Sequence, residues 1–293
     1  MDDISETLGW SDIYLLIAIL FAYQRFESMR MNYNMADKLS PETISSEQAF
    51  PNTTPVLHNT SYLHYPLVSN LSVIKVGGSI AQNPEKLQIL CEKIGELSKS
   101  HQIVVVPGGG EFADTVRQLD KRFLLSNRTA HCMAILAMDQ YGLLLADLTA
   151  DSVVVQGLKE TQTALAQGKV PIFLPSQLLF AEDPLENSWD ITSDSIALYL
   201  ATKLEAQRLL LVTDVDGIYT QDPKRYPDAE LINKITPYSL TEMSMRTSVD
   251  LMLPKLLLKQ SMDCFVINGL FPQRIKTVLD EQPTVYTLIT KSF

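Results

Sequence analysis

VIKVGGS (residues 73–79) and IVVVPGGGEF (residues 103–112) decide the fold of this 293-residue chain. Each is a short, β-branched apolar run that stops at a cluster of glycines. Each is followed by apolar residues at helical spacing: Leu87, Leu90, Cys91, Ile94 and Leu97 after the first, Phe112, Val116, Leu119 and Phe123 after the second. Strand, glycines and helix in succession are the grammar of a parallel sheet covered by helices. The pattern continues to the C-terminus. His131 to Ala146 reads as a long helix, VPIFLP (170–175) as a strand, Ser193 to Leu204 as a helix with Ser193 as N-cap, and RLLLVT (208–213) as a strand. Leu251 to Ser261 reads as a helix, CFVIN (264–268) as a strand, Gln273 to Leu279 as a short helix and VYTLIT (285–290) as a closing strand. The expected fold class is α/β: a three-layer α/β/α sandwich with a mainly parallel central sheet.

Upstream the pattern disappears. Met31 to Asn70 is rich in Ser, Thr, Asn and Pro with no sustained period, which predicts an extended arm. Ile13 to Tyr23 (IYLLIAILFAY) is an apolar run of 11 residues, short of the ~20 a bilayer helix needs. Its acidic flank is unlike the positive start of a secretory signal, so a buried or interface helix is expected and a membrane span is not. The chain is therefore divided into an N-terminal extension (1–70, helix plus extended arm) and an α/β domain (71–293).

Charge and cysteines narrow the function. The formal net charge is −10, from 24 basic and 34 acidic side chains, which argues against nucleic acid as the main partner. A small anionic ligand stays compatible, because a few backbone amides and one or two lysines make a local positive site on an acidic protein. Cys91, Cys132 and Cys264 are far apart with no CxxC pair, and read as small buried hydrophobes in a reducing cytoplasm.

In open parallel sheets, ligands collect at the carboxyl ends of strands, where loops lead into helix N-termini. Lys75-Val76-Gly77-Gly78-Ser79 puts a lysine and two glycines at one such point, and Pro107-Gly108-Gly109-Gly110 puts three glycines at the next. Either loop alone is also what a tight turn requires; two in succession, one with a lysine, favour a polyphosphate cradle. The spacing excludes GxxxxGK[ST], GxGxxG and the HRD and DFG motifs of protein kinases. Thr213-Asp214-Val215-Asp216-Gly217 lacks the later ligands of a calcium loop.

Together these stretches resemble the amino acid kinase family, in family order: VIKVGGS (73–79), VVVPGGGEFAD (104–114), Thr192-Ser193-Asp194, TDVDGIYTQDP (213–223) and Lys255. Within the family the likeness is to the subgroup of the methanofuran-pathway kinase, carried by HCMAILAMDQYG (131–142), SWDITSDSIA (188–197) and 253–275. Where acetylglutamate-type members have GGM before the second lysine, this chain has Leu251-Met252-Leu253-Pro254.

The resemblance implies an ATP-dependent small-molecule kinase with a phosphate-bearing acceptor, and an acceptor-binding half (about 71–190) followed by a nucleotide-binding half (about 191–293). Lys75 and Lys255 would flank the transferring group, with Asp194 holding them in place. Asp194 is equally suited to start its helix. The amides of Gly77, Gly78 and Ser79 would bind the transferred phosphate; Thr213, Asp214, Gly217, Tyr219, Asp222 and Pro223 would form the ATP pocket; Gly109, Gly110, Arg117 and Asp139 would hold the acceptor. Trp189, Asp190 and His131 are further candidates, each with an ordinary packing role as alternative. Mg²⁺ is implied with ATP, without an assigned protein ligand. Homo-oligomeric assembly is also implied. Other acceptors on the same scaffold are uridylate and isopentenyl phosphate, and the family's molybdenum storage proteins show that the fold also serves without turnover.

Overall fold

The computed structural model describes residues 70–243 and 247–291. The expected N-terminal extension, with its apolar run at Ile13 to Tyr23, lies outside the described residues but for Asn70.

Among the described residues ten strands form, in the order β1 (Ser72–Val76), β2 (Ile103–Pro107), β3 (Ser152–Val155), β4 (Val170–Phe173), β5 (Arg208–Thr213), β6 (Ile218–Tyr219), β7 (Leu231–Ile232), β8 (Lys234–Ile235), β9 (Asp263–Asn268) and β10 (Thr287–Ile289). Eight make one sheet, β3-β4-β2-β1-β5-β9-β10-β8, parallel throughout except for the antiparallel β9/β10 pair. β6 and β7 form a separate antiparallel ribbon. The closing strand therefore runs against its neighbour, which the sequence pattern did not reveal, since a three-residue apolar strand carries no sign of its direction.

The helices are α1 (Pro84–Leu97), α2 (Gly110–Phe123), α3 (Asn127–Leu148), α4 (Leu158–Ala166), α5 (Ser176–Glu182), α6 (Ser193–Lys203), α7 (Pro237–Glu242), α8 (Leu253–Leu257) and α9 (Gln273–Leu279), with a 3-10 turn at Gly78–Gln82. Asn83 opens α1 by accepting the Lys86 N–H, with Pro84 at the first helical position. Ser126 caps α3, which starts four residues before the expected His131. The helix expected over Leu251 to Ser261 shrinks to α8: Met252 is its N-cap, and past the C-cap Leu258 the chain turns in i→i−3 bonds, Lys259 N–H to Leu256 O (3.0 Å) and Gln260 N–H to Leu257 O (3.0 Å).

Alternation along the strands divides the core between the two faces of the sheet. Val73, Val104, Val106, Leu209 and Leu211 pack with Ile196 and Leu200 of α6 and Leu253 of α8. Ile74, Val76, Val105, Leu210 and Val212 pack with Leu90 and Ile94 of α1 and Ile275 of α9. The layers are thus helix, sheet, helix. Lys75 shares the parity of Val73, so its side chain emerges on the α6 face. Among the described residues no helix is long and apolar enough to cross a membrane.

Candidate active site

β1 is flanked by β2 and β5, and every one of its residues is buried. Its lysine must therefore be paired, because an isolated ammonium is too costly to bury. The partner is Asp194, in the first turn of α6: Lys75 Nζ lies 2.7 Å from Asp194 Oδ1, with the two side chains 10% and 7% exposed. The contact is an ion pair without hydrogen-bond alignment, since Oδ1 has no donor of good geometry. The other oxygen, Oδ2, accepts the backbone N–H of Asp250 at 3.1 Å.

Asp250 is a site residue that sequence reasoning missed. Its carboxylate accepts from Thr192 N–H (2.9 Å) and Oγ1 (3.0 Å), Ser195 N–H (3.0 Å) and Oγ (2.7 Å), and the N–H groups of Met252 (3.2 Å) and Leu253 (2.7 Å). It therefore caps α6 and α8 together. The N-cap of α6 is Thr192 rather than the expected Ser193, and the side chain satisfying the first N–H groups comes from 55 or more residues away. Burial, then the neighbouring Asp194 charge, push the Asp250 pKa upward; the Ser195 and Thr192 bonds work against this. The available signal was local: an aspartate three residues before Leu253-Pro254 has the spacing of a helix start.

The two glycine loops lie against one another. Gly77 donates its N–H to Val212 O (2.7 Å) and Gly108 donates to Val76 O (2.8 Å), extending the strand ladders by one rung each. The Gly77 amide is thus committed to the sheet and does not serve an anion as expected. Gly78 and Ser79 head the 3-10 turn, where the first N–H groups have no intrahelical acceptor. Gly109 and Gly110 head α2 in the same way, Gly110 with φ +55°. Tyr141 of α3 packs its ring under Gly110 and donates its hydroxyl to Gly77 O at 3.4 Å.

A cavity of about 650 Å³ opens between these elements. Gly78, Ser79, Gly109, Gly110, Arg117, His131 and Asp194 line it, with Trp189, Asp190 and the segment Thr247 to Leu251. Arg117 bonds Asp114 Oδ1 (2.8 Å) and lies over the Trp189 ring, 4.9 Å from its centroid. The Trp189 indole N–H donates to Asp120 Oδ2 at 2.8 Å, so the ring is held at its polar edge. His131 is buried, which lowers its pKa against a smaller opposing effect of Asp183.

Of the residues expected around the transferring group and the acceptor, Lys75, Gly77, Asp139 and Lys255 do not line the cavity; Lys75 meets it through its partner Asp194. Asp139 does not line the cavity; its carboxylate accepts the Ser176 N–H at 3.2 Å and the Ser176 hydroxyl, at the start of α5. It is one residue beyond the cavity-lining Met138, about 100° further round α3. Lys255, third residue of α8, is exposed, outside the cavity lining, and has no ion-pair partner among the described residues.

The TDVDGIYTQDP stretch forms its own locality at the carboxyl end of β5. Asp214 accepts from Ser79 Oγ (3.0 Å) and Lys224 Nζ (2.6 Å), linking the first glycine loop to the Asp222-Pro223 turn. Burial opposes ionisation of Asp214, but the Lys224 and Ser79 bonds outweigh it and hold the carboxyl below its usual value. Thr213 ends β5, Tyr219 pairs with Leu231 across the ribbon, and Asp222 accepts the Lys224 N–H at 3.0 Å. Gly217 is buried, and a Cβ there would lie 2.3 Å from Thr287 Oγ1, so packing under β10 demands this glycine. Sequence reasoning also passed over Asp216, which accepts from Asn268 Nδ2 (2.9 Å) and Arg274 (2.5 Å).

Comparison with known proteins bears on this geometry. The sequence pattern of the amino acid kinase family matches residues 70–268. A [5-(aminomethyl)furan-3-yl]methyl phosphate kinase from Methanocaldococcus jannaschii is 34% identical, over 75% of this chain and 97% of its own length. A uridylate kinase from Methanococcoides burtonii is 30% identical over 71% of this chain and 91% of its own. Among solved structures, uridylate kinase from Archaeoglobus fulgidus superposes with a TM-score of 0.60 over 75% of this chain and 99% of its own, at 22% identity.

Proposed function

This chain belongs to the amino acid kinase family, and from that premise we propose how its site works and which acceptor it takes. It is a small-molecule phosphotransferase with ATP as phosphate donor. The observation that carries the reading of the site is the buried Lys75–Asp194 pair, whose Asp194 lines one cavity together with Gly78 and Ser79 at the head of the 3-10 turn.

Lys75 supplies a positive charge to the transferring phosphoryl group, and Asp194 holds that charge in place. Phosphoryl transfer asks the protein for alignment and charge neutralisation rather than covalent work. An acceptor phosphate oxygen attacks the γ-phosphorus, the bond to the β,γ-bridging oxygen breaks, and ADP leaves. The attacking oxygen is already ionised near neutral pH, so no general base is required. Thr213, Asp214, Tyr219, Asp222 and Pro223 form the nucleotide side, and the exposed Lys255 reaches the donor phosphates. Gly109, Gly110 and Arg117 take the acceptor phosphate.

Among the described residues no three His, Cys, Asp or Glu side chains converge as a metal site. Asp194 and Asp214 are each committed to a lysine. This donor set does not build a resident metal site, and we take Mg²⁺ to enter as part of the MgATP substrate.

The acceptor we propose is an aminomethylfuranylmethyl phosphate, the compound named for the Methanocaldococcus relative. Arg117 suits its phosphate, and the carboxylates of Glu111, Asp114 and Asp190 in the cavity wall suit its ammonium. The free cysteines Cys91, Cys132 and Cys264 fit a cytoplasmic setting. The exposed Leu143 and Leu144 of α3 are suited to a contact between copies in a homo-oligomer, which light scattering would reveal.

A coupled ADP-release assay tests the acceptor. Turnover is expected with the aminomethylfuranylmethyl phosphate and at least about 100-fold weaker kcat/KM with uridylate or isopentenyl phosphate. Preference for uridylate would overturn the acceptor. ATP binding without turnover of any of the three would favour a storage protein.

A further inference from the structure

Two buried carboxylates meet at this site, and only one of them touches the lysine. Asp194 pairs with Lys75, while Asp250 receives six hydrogen bonds, all from donors. Oδ2 of Asp250 gathers Thr192 and the Ser195 N–H at the start of α6, the helix that carries Asp194. Oδ1 gathers the Ser195 hydroxyl and the N–H groups of Met252 and Leu253 at the start of α8, the helix that carries Lys255. The backbone N–H of the same residue steadies Asp194 Oδ2.

Each carboxylate oxygen faces two backbone N–H groups, which can only donate, so the shell favours an ionised carboxylate: a protonated or amidated side chain would set a donor against one of these pairs. α8 has only five residues, too few for a helix to stand without anchoring. Leu253 and Leu257 pack it into the core, and Asp250 holds its first turn.

We infer that Asp250 is a positioning residue for phosphoryl transfer, clamping the α6 start that carries Asp194 to the α8 start that carries Lys255, so that the Lys75 and Lys255 charges keep one spacing. The inference rests on the reading that Lys255 serves the donor phosphates. An electrostatic site works through groups whose positions are set before the substrate arrives, and a misplacement of about 1 Å costs on the order of 100-fold in rate. A spacing held by one shared carboxylate would make the two halves of the site assemble as a unit.

A double-mutant cycle on the full chain tests this, with MgATP affinity measured by calorimetry and kcat by ADP release. Lys255→Ala alone is expected to weaken MgATP about tenfold, and Asp250→Asn alone by a similar factor with a kcat loss of about 100-fold. The double variant should bind MgATP no more than about twofold worse than either single variant, because both act through the same ammonium. Losses that multiply to about 100-fold, or an inert Asp250→Asn, overturn the inference while leaving the site reading intact. An inert Lys255→Ala overturns the site reading, and the inference with it. A stability effect alone, seen as a lowered melting temperature with multiplicative losses, is the outcome of a purely structural carboxylate and also overturns it. Should Asp250→Asn fail to fold, Ser195→Ala, which removes one donor, replaces it in the cycle with the same non-multiplicative result expected.

Discussion

Gly78 and Gly110 are in backbone contact: a Cβ on Gly78 would stand 2.2 Å from Gly110 Cα and 2.3 Å from Gly110 N. Neither neighbour is a flexible side chain that can swing away. Gly78→Ala is therefore expected to push the two glycine loops apart, costing about 1–3 kcal/mol of stability and on the order of 100-fold in kcat. Chemical denaturation and steady-state kinetics measure the two effects. A variant of normal activity would mean that the loops need not touch during transfer.

Removing the Lys75 ammonium leaves Asp194 buried and uncompensated, with Asp250 close by. Lys75→Met should destabilise the protein by about 3–5 kcal/mol and lower kcat by roughly 1,000-fold. Adding Asp194→Asn removes the orphaned charge, so the double variant should regain much of the stability and none of the activity. Denaturation midpoints for the single and double variants separate charge burial from catalysis.

The pH dependence follows from His131. Burial lowers its folded-state pKa, below the ~6.5 of an unfolded histidine. Between the two values the unfolded chain holds more protons, so stability there rises with pH. The contribution is complete above the unfolded value and is lost as pH falls through the folded one. His131→Gln should flatten the slope of melting temperature against pH just below 6.5. An unchanged slope would assign the acid sensitivity to other groups.

Trp189 is a wall of the cavity, fixed by Asp120 at its N–H and stacked under Arg117. Trp189→Ala should raise the acceptor KM about tenfold and leave the MgATP KM within about twofold. Equal changes in both constants would place the ring's role in general packing.

What could be read from the sequence was whatever is local in the chain. The strand-glycine-helix order, Lys75 at the end of β1 and Asp194 in the first turn of α6 each follow from a few adjacent residues. Asp250 was passed over because its partners Thr192 and Ser195 are more than 50 residues away. Asp139 was assigned to the acceptor although it turns toward Ser176, because α3 carries apolar residues such as Leu143 and Leu144 on its exposed face as well, which leaves a weak pattern from which to set its rotation. α4, α5 and the edge strand β3 escaped notice for a similar reason: Val153 and Val154 of β3 are half exposed, and neither period stands out over four residues.

The rank of β1 within the sheet has a consequence for breathing motions. With β2 and β4 and then β3 on one side, and β5, β9, β10 and β8 on the other, amide protons of β1 should exchange with solvent only when the whole domain opens. Those of β3 and β8 should exchange through local fraying. The strand that delivers the lysine is thus insulated from the fluctuations of the sheet's edges. On the proposed reading of the site, substrates can come and go while the Lys75 charge stays at rest.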